Sequence, residues 1–109
     1  MIMIEVGKLR DLVARRPTVV AVPHSAVAIF QVAERMHGID EACMRCGSSL
    51  ASGKLTRSSV ACSRCGWTYD VVTGFVNGMS TLRTTVYEVT VRDSTVFVAL
   101  PMDISTRDS

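Results

Sequence analysis

The chain has 109 residues, of which 48% are hydrophobic and 20% charged, and its formal net charge is +2. This length supports one hydrophobic core but not two. A charge so close to zero, on basic residues scattered along the chain, gives no reason to expect nucleic acid or an anionic membrane as a partner. The sequence has no apolar run of the roughly 18–20 residues that a membrane span needs, and it does not begin like a secretory signal. We therefore expect a cytoplasmic protein.

The first predicted element is a helix over Lys8–Arg16. Leu9, Leu12 and Val13 fall on one side of this helix, and Pro17 ends it. A strand follows at Thr18–Val22, where three of the five residues are valine.

The second predicted strand is Ala26–Ala33, and it forms a hairpin with Thr18–Val22 across the turn cluster Pro23-His24-Ser25. Another hairpin is predicted near the end of the chain. Thr85–Arg92 alternates large apolar and polar side chains, Asp93-Ser94 is a two-residue turn, and Thr95–Leu100 pairs back. The sequence therefore predicts a mainly antiparallel β protein.

Four cysteines form two near-identical motifs, Cys43-Met-Arg-Cys46-Gly47 and Cys62-Ser-Arg-Cys65-Gly66. Two tight turns that each present a pair of thiolates build a tetrahedral all-sulfur metal site. Gly47 and Gly66 let the backbone turn sharply and leave amide N–H groups free to point at sulfur. The alternatives are two disulfides or four buried thiols that only pack. A reducing cytoplasm disfavours the disulfides, and the repeated spacing favours the metal site.

The segment from Cys43 to Gly74 resembles a Rieske ferredoxin domain. Cys43-Met-Arg-Cys-Gly47-Ser-Ser-Leu50 is similar to the first ligand loop of that family, and Cys62-Ser-Arg-Cys65-Gly66-Trp67-Thr-Tyr69-Asp70-Val-Val-Thr73-Gly74 is similar to the second. The resemblance implies an all-β fold, a small antiparallel β-sandwich or open barrel. With the length of the chain, it leads us to expect one domain over 1–101 with a metal-binding subdomain at about 40–75, and the polar residues 102–109 are expected to form a tail. We expect short strands at Ser59–Ala61 and Thr68–Asp70.

The departure from the family falls on the ligands. A Rieske cluster uses two cysteines on one iron and two histidines on the other. Here the two histidine positions hold Arg45, whose guanidinium cannot ligate iron, and Cys65. His24, in a turn, and His37, expected to be exposed beside Gly38, lie before the cysteine segment and outside the ligand frame.

Cys46 supplies a replacement thiolate, so both loops become rubredoxin-like or zinc-ribbon-like C-x-x-C-G motifs. Both sulfurs of such a motif reach one ion, whereas a Rieske loop sends its two ligands to different irons. We therefore favour one metal ion, iron or zinc, bound by Cys43, Cys46, Cys62 and Cys65. A four-cysteine 2Fe–2S cluster is the alternative.

Several neighbouring residues are candidates for a role at this site. Tyr69 occupies the position from which Rieske proteins donate a hydrogen bond to a cysteine sulfur, the alternative being a strand aromatic with its hydroxyl in water. Trp67 is interpreted as a packing anchor. Arg45 and Arg64 precede the second cysteine of each motif and could offset the negative charge of a four-thiolate site or guide an acidic partner; otherwise they are solvated loop residues.

The loop Asn77–Leu82 corresponds to the proline-containing cover of the family but lacks proline, so Met79 shields the site or the cover is looser. Asp70 is expected to order the turn toward Gly74 rather than to act as an acid or base. The sequence has no nucleophile–histidine pair, phosphate-binding loop or dinucleotide motif, so no enzymatic activity is expected.

Two functions remain open. In the first, the site holds iron and the protein is a ferredoxin-like one-electron carrier whose partner is an oxygenase or reductase. In the second, it holds zinc and is a structural or protein-binding module. The sequence leaves the oligomeric state undetermined.

Overall fold

The structure is a computed structural model that describes residues 2–14, 18–23 and 25–100. Within these ranges it is built mainly from short strands. In chain order the elements are β1 (Ile2–Lys8), α1 (Leu9–Ala14), β2 (Thr18–Val22), β3 (Ser25–Val32), β4 (Arg35–Asp40), a 3-10 turn (Leu50–Ser52), β5 (Lys54–Thr56), β6 (Ser59–Ala61), β7 (Thr68–Asp70), β8 (Val86–Tyr87), β9 (Val89–Arg92) and β10 (Thr95–Leu100). Among the residues that the structure describes, no helix has the length and hydropathy that a membrane span needs.

The strands form three antiparallel sheets. The first has the order β1-β10-β9, the second β2-β3-β4-β8 and the third β5-β6-β7. The cysteine loops lie next to the third sheet, since one precedes β5 and the other connects β6 to β7. We call the third sheet with its two loops the cysteine end, and the other two sheets with α1 the base.

Strand β3 divides its side chains between two hydrophobic clusters. Successive side chains of a strand point to opposite faces, and the four residues from Val27 to Phe30 are all buried. Ala28 and Phe30 pack into a cluster with the cysteine end, which also contains Ile39, Cys43, Leu50, Val60, Cys62, Tyr69, Val71 and Val76. Val27 and Ile29 pack into a second cluster with Leu12, Tyr87, Val96 and Val98. The second sheet, which contains β3, therefore has side chains packed against both of its faces.

The fold class predicted from the sequence is confirmed, since little helix is present and all named strand pairs are antiparallel. The β2–β3 hairpin pairs Val22 with Ser25, so Ser25 begins β3 instead of lying in the turn, and His24 is outside the described residues. Asp93 and Ser94 both have positive φ, 50° and 66°, as a two-residue turn between twisted strands requires.

The prediction of one strand over Thr85–Arg92 is wrong. Val86 and Tyr87 pair with β4 in the second sheet, whereas Val89–Arg92 pairs with β10 in the first sheet. The chain passes between the two sheets at Glu88, whose carbonyl accepts a hydrogen bond from Ala99 N–H of β10.

The predicted helix also needs correction at its start, because Lys8 pairs with Thr95 as the last residue of β1 and the helix begins at Leu9. Its predicted end at Arg16 lies outside the described residues, as does the predicted tail. The prediction that His37 is exposed beside Gly38 is wrong. His37 is half-buried in β4, where it pairs with Phe30.

Candidate metal centre

The two cysteine loops are closed by the same pair of backbone hydrogen bonds. In the first loop, Gly47 N–H donates to Cys43 O at 2.9 Å, and Cys43 N–H donates to Ser48 O at 2.9 Å. In the second, Gly66 N–H donates to Cys62 O at 3.0 Å, and Cys62 N–H donates to Trp67 O at 2.8 Å. Because the repeated sequence gives repeated backbone geometry, each loop presents its two sulfurs in the same way.

Glycine is required in both loops by backbone conformation rather than by space. Gly47 and Gly66 have φ values of 80° and 85°, in the region that side chains with a Cβ rarely adopt. A Cβ added at either position would meet no atom within 4 Å. The trailing glycine of each motif therefore serves to reverse the chain directly after the second cysteine.

The four sulfurs lie close enough together to bind a single metal ion. Cys43 Sγ is 3.7 Å from Cys65 Sγ, Cys46 Sγ is 3.6 Å from Cys62 Sγ, and all four sulfurs lie within 4.8 Å of one another. Sulfurs placed about 2.3 Å from a common tetrahedral centre would be about 3.8 Å apart. The thiols are free, so the alternative of two disulfides is not realised in this structure. The site could hold one ion, and the same donor set suits iron and zinc.

The first and second cysteines of each motif differ in exposure. Cys43 and Cys62 are each 3% exposed and belong to the core cluster of the cysteine end. Cys46 is exposed to solvent, and Cys65 is half-buried. The group of sulfurs therefore has a buried side against the core and an open side toward solvent.

Tyr69 connects the buried side of the group to the first loop. Its side chain is fully buried in β7, and its hydroxyl lies 3.3 Å from Cys43 Sγ. The same hydroxyl accepts a hydrogen bond of 2.8 Å from Met44 N–H, which leaves its own proton for the sulfur. A thiolate only accepts hydrogen bonds, so with Cys43 ionised Tyr69 is the donor. The alternative of a hydroxyl in water does not describe this residue.

The environments of the thiols shift their pKa values in opposite directions. Burial by itself raises the pKa of Cys43, but hydrogen bonds from Tyr69 and from the backbone of Cys46 and Arg45 outweigh it and lower the pKa to about 6. A side-chain hydrogen bond from Ser48, joined by one from its backbone, lowers the pKa of Cys46. The first loop thus stabilises thiolates, the form that binds metal.

The pKa of Cys65 moves the other way. A backbone hydrogen bond from Trp67 lowers it, but burial and the interactions with Cys43, Cys62 and Cys46 raise it to about 11. Thiolates brought this close repel one another, so the last thiol to ionise has the highest pKa. A bound cation would remove that repulsion, so the arrangement is typical of a metal site.

The arginines of the two loops are both exposed, and one of them contacts the other loop. The Arg45 guanidinium lies 5.6 Å from the centroid of the Trp67 ring, a cation–π contact. Trp67 is half-buried and packs against the core cluster of the cysteine end, as expected of a packing anchor. This contact joins the two loops, and no sequence pattern indicated it, because the partners belong to different motifs.

Asp70 and Met79 both come after the second loop in the chain. Asp70 orders its turn as expected: Oδ1 accepts hydrogen bonds from Val72 N–H at 2.8 Å and Thr73 N–H at 3.1 Å, and its carbonyl accepts one from Gly74 N–H. Met79 is 42% exposed and lies outside the core cluster of the cysteine end, which fits the looser cover.

Among the described residues, histidine contributes nothing to the group of candidate ligands, which consists of the four cysteines. His37 lies in β4, where burial lowers its pKa, with a further decrease from Arg35 that Asp70 opposes. A neutral imidazole is therefore the favoured form at this position.

Comparison with known proteins gives matches only among solved structures. No protein-family model and no curated protein matches the chain. A chain in the complex of reduced oxygenase and oxidized ferredoxin of carbazole 1,9a-dioxygenase superposes with a TM-score of 0.79 at 25% identity, covering 90% of this chain and 93% of the other. The terminal oxygenase of carbazole 1,9a-dioxygenase from Nocardioides aromaticivorans IC177 gives a TM-score of 0.80 at 20% identity, covering 91% and 30%.

These matches define the class of fold. The protein has the Rieske-type antiparallel β architecture, with a group of four cysteines close together at one end of it. It is similar over nearly its whole length to a chain of comparable size in the carbazole dioxygenase complex. It spans under a third of the oxygenase chain.

Proposed function

We propose that this protein is a ferredoxin-like one-electron carrier for an oxygenase or reductase system, with a single iron bound by Cys43, Cys46, Cys62 and Cys65. We propose further that it is a single domain without a catalytic site of its own. The observation that carries the proposal is the group of four sulfurs, all within 4.8 Å, at one end of a Rieske-type fold. The match to a chain of similar length in a ferredoxin–oxygenase complex supports the choice of partner.

The sulfur distances favour one iron over a 2Fe–2S cluster. In a cluster each iron takes two of the terminal sulfurs, so the two pairs must be separated by the iron–iron distance as well as by two bonds. Here all four sulfurs lie within 4.8 Å of one another, so no division of them into two pairs provides that separation. Two bridging sulfides would need the loops to move apart.

A bound iron would supply one-electron chemistry by changing between the ferric and ferrous states. The chain supplies what such a change requires. The two hydrogen-bonded loops hold the thiolates in place, so that little rearrangement accompanies the change in charge. Exposed Cys46 brings the open side of the site to the surface, where a partner can approach, while buried Cys43 and Tyr69 exclude water from the other side.

A zinc-binding structural or protein-interaction module is the second candidate. Arg45 and Cys65 stand where the family has histidines, so the ligands that give a Rieske centre its high potential are replaced. Four thiolates at this spacing bind zinc as readily as iron.

Purification from iron-replete cells, followed by a redox titration, separates the two candidates. The proposal expects a red protein that bleaches on reduction and recovers on reoxidation, with one electron taken up per chain. Colourless protein that contains zinc after expression and takes up no electron would support the structural module. Reconstitution with iron after zinc removal is the control for zinc loaded during expression.

A ligand variant tests the assignment of the site. Cys46→Ser should lower metal occupancy and thermal stability together, because bound metal contributes folding free energy. Ser63→Ala, a change at an exposed position of the other loop, is the matched control: it removes only an exposed hydrogen bond to Ser52, so metal occupancy should stay unchanged and thermal stability nearly so. Full metal content in the Cys46→Ser protein would show that Cys46 is not a ligand.

A further inference from the structure

The charges of this chain are segregated, although its basic residues look scattered in the sequence. Residues 43–69 contain four basic residues, Arg45, Lys54, Arg57 and Arg64, and not one Asp or Glu. The rest of the chain holds the remaining eight basic residues and all ten acidic ones. The cysteine end, whose one acid is Asp70 at the end of β7, is therefore cationic, whereas the remainder has a slight excess of acids.

Three of these cations lie at the loop side of the cysteine end. Arg45 and Arg64 each directly precede a cysteine whose sulfur belongs to the group of four. Lys54 pairs with Ala61, the last residue before Cys62, so it stands at the same side of the sheet. All three are exposed. We call Arg45, Lys54 and Arg64, together with the exposed Met44 that lies between Cys43 and Arg45 in the sequence, the cationic rim.

The acids nearest in sequence do not neutralise this rim. Asp70 ends β7, and its carboxylate accepts hydrogen bonds from its own turn and from Ser58 Oγ. Glu41 is half-buried in the segment before the first loop. Iron with four thiolates carries about −1 in the ferric and about −2 in the ferrous state, so the four cations outweigh the site and Asp70 together and leave the cysteine end positive.

Part of the rim is fixed before any partner arrives. The stacking of Arg45 on Trp67 restricts its guanidinium, so less side-chain entropy is lost when it pairs with a carboxylate. Met44, the residue before Arg45, is 45% exposed and adds apolar surface of the kind that docking surfaces combine with charge.

We propose that the cationic rim is the docking surface for an acidic face of the redox partner protein. This inference rests on the proposed function, which it deepens by naming the charge of the partner. Electrostatic attraction would steer that face toward the open side of the sulfur group, next to exposed Cys46. A nucleic acid fits less well, because binding a phosphate backbone takes several cations in a row and Trp67 is half-buried beneath Arg45 instead of open for base stacking.

The test is a titration that needs no electron transfer. Isotope-labelled protein loaded with zinc is titrated with flavodoxin, an acidic redox protein, and followed by NMR at low salt and again at about 0.3 M NaCl. The proposal expects the amide signals of residues 43–47 and 62–67 to shift, and binding to weaken with salt. Arg45→Glu/Arg64→Glu should weaken binding about tenfold. Arg10→Glu/Arg92→Glu makes the same change in net charge on the base and should alter binding less than about twofold.

Equal weakening in both double variants would overturn the proposal, since only net charge would then matter. Shifts confined to the base, or no shift at all, would overturn it as well. So would tighter binding of a single-stranded oligonucleotide than of flavodoxin. Thermal melting and zinc content verify the fold of each variant, and Arg64→Glu alone, with an expected weakening of about threefold, replaces a double variant that does not fold. A redox-silent centre would defeat the proposed function without changing this titration.

Discussion

The cysteine end and the base are stabilised by different means. Strands β5, β6 and β7 of the cysteine end have three residues each, whereas β1, β3 and β10 of the base have seven, eight and six. Short strands form few hydrogen bonds and bury few side chains. The base is held by aliphatic packing around Val27, Val96 and Val98, while the core of the cysteine end includes two of the candidate ligands. From this comparison we expect a bound metal to stabilise the cysteine end and to contribute little to the base.

Each end also contains one buried tyrosine whose hydroxyl contacts a potential anion. Tyr69 lies 3.3 Å from Cys43 Sγ, and Tyr87 donates a hydrogen bond of 2.6 Å to Asp40 Oδ1. The acceptor differs: a sulfur of the candidate metal site in one case and a carboxylate that joins strands of the base in the other. The same substitution at the two positions therefore separates effects on the site from effects on the fold.

Metal removal should produce the largest difference between the two ends. Structural zinc contributes about 10–16 kcal/mol in small zinc domains. After chelation we expect amides of β5–β7 to exchange on the order of a hundredfold faster, while amides of β3 and β10 keep their protection. Hydrogen exchange resolved by residue, before and after chelation, measures this directly. Uniform loss of protection would show that the base depends on the metal as well.

Gly74→Ala should destabilise the protein more than Gly47→Ala. Both glycines have positive φ, 87° and 80°, which costs an alanine about 1–2 kcal/mol. At Gly74 a Cβ would also lie 2.6 Å from Val86 Cγ2 and 2.8 Å from Thr84 O, whereas at Gly47 it meets nothing within 4 Å. The overpacking adds about 1–3 kcal/mol at Gly74. Denaturant unfolding of the two variants gives the difference, and equal losses would contradict the packing argument.

Tyr69→Phe and Tyr87→Phe should lower stability by similar amounts, about 1–3 kcal/mol each, because each leaves a polar partner without its bond. Only Tyr69→Phe should change the reduction potential of iron-loaded protein. Its hydrogen bond to sulfur stabilises the more negative, reduced state, so its loss lowers the potential, by about 40 mV for each kcal/mol. A potentiometric titration measures this, and an equal shift in Tyr87→Phe would contradict the assignment.

The pH dependence of stability should show the smallest effect, at the base. Burial and the hydrogen bond to Asp40 raise the pKa of Tyr87 to about 12. A raised pKa in the folded state means that the stabilisation is complete below the ordinary value of about 10 and is lost as the pH rises toward about 12. Stability should therefore fall between these values, less steeply in Tyr87→Phe. Equal slopes for the two proteins would contradict the prediction.

The sequence predicts those parts of the fold that are determined by residues adjacent in the chain, and it does not predict those that depend on distant contacts. The β2–β3 hairpin and the turn at Asp93-Ser94 follow from neighbouring residues and were predictable. The passage between sheets at Glu88 was not, because the alternation of Thr85–Arg92 continues through it and the break depends on a hydrogen bond from distant Ala99. Strand β4 was not predicted, because Met36-His37-Gly38 lacks the alternation of apolar and polar residues that is typical of a strand. The segment is a strand because it pairs with β3 on one side and β8 on the other.

The same distinction applies to the site. The four cysteines and their glycines were predictable from spacing, since each loop closes on itself. The contact between Arg45 and Trp67 was not, because it forms between loops after folding. The spread of pKa values, from about 6 at Cys43 to about 11 at Cys65, likewise depends on sulfurs that only the fold brings together.

The proposed electron carrier requires that four sulfurs surround one metal ion. X-ray absorption at the metal edge, with metal and acid-labile sulfide measured on the same sample, detects this arrangement. We expect one metal per chain, four sulfurs at about 2.3 Å and no labile sulfide. Two irons with two sulfides and a neighbouring iron in the scattering would contradict it, as would nitrogen or oxygen in place of any of the four sulfurs.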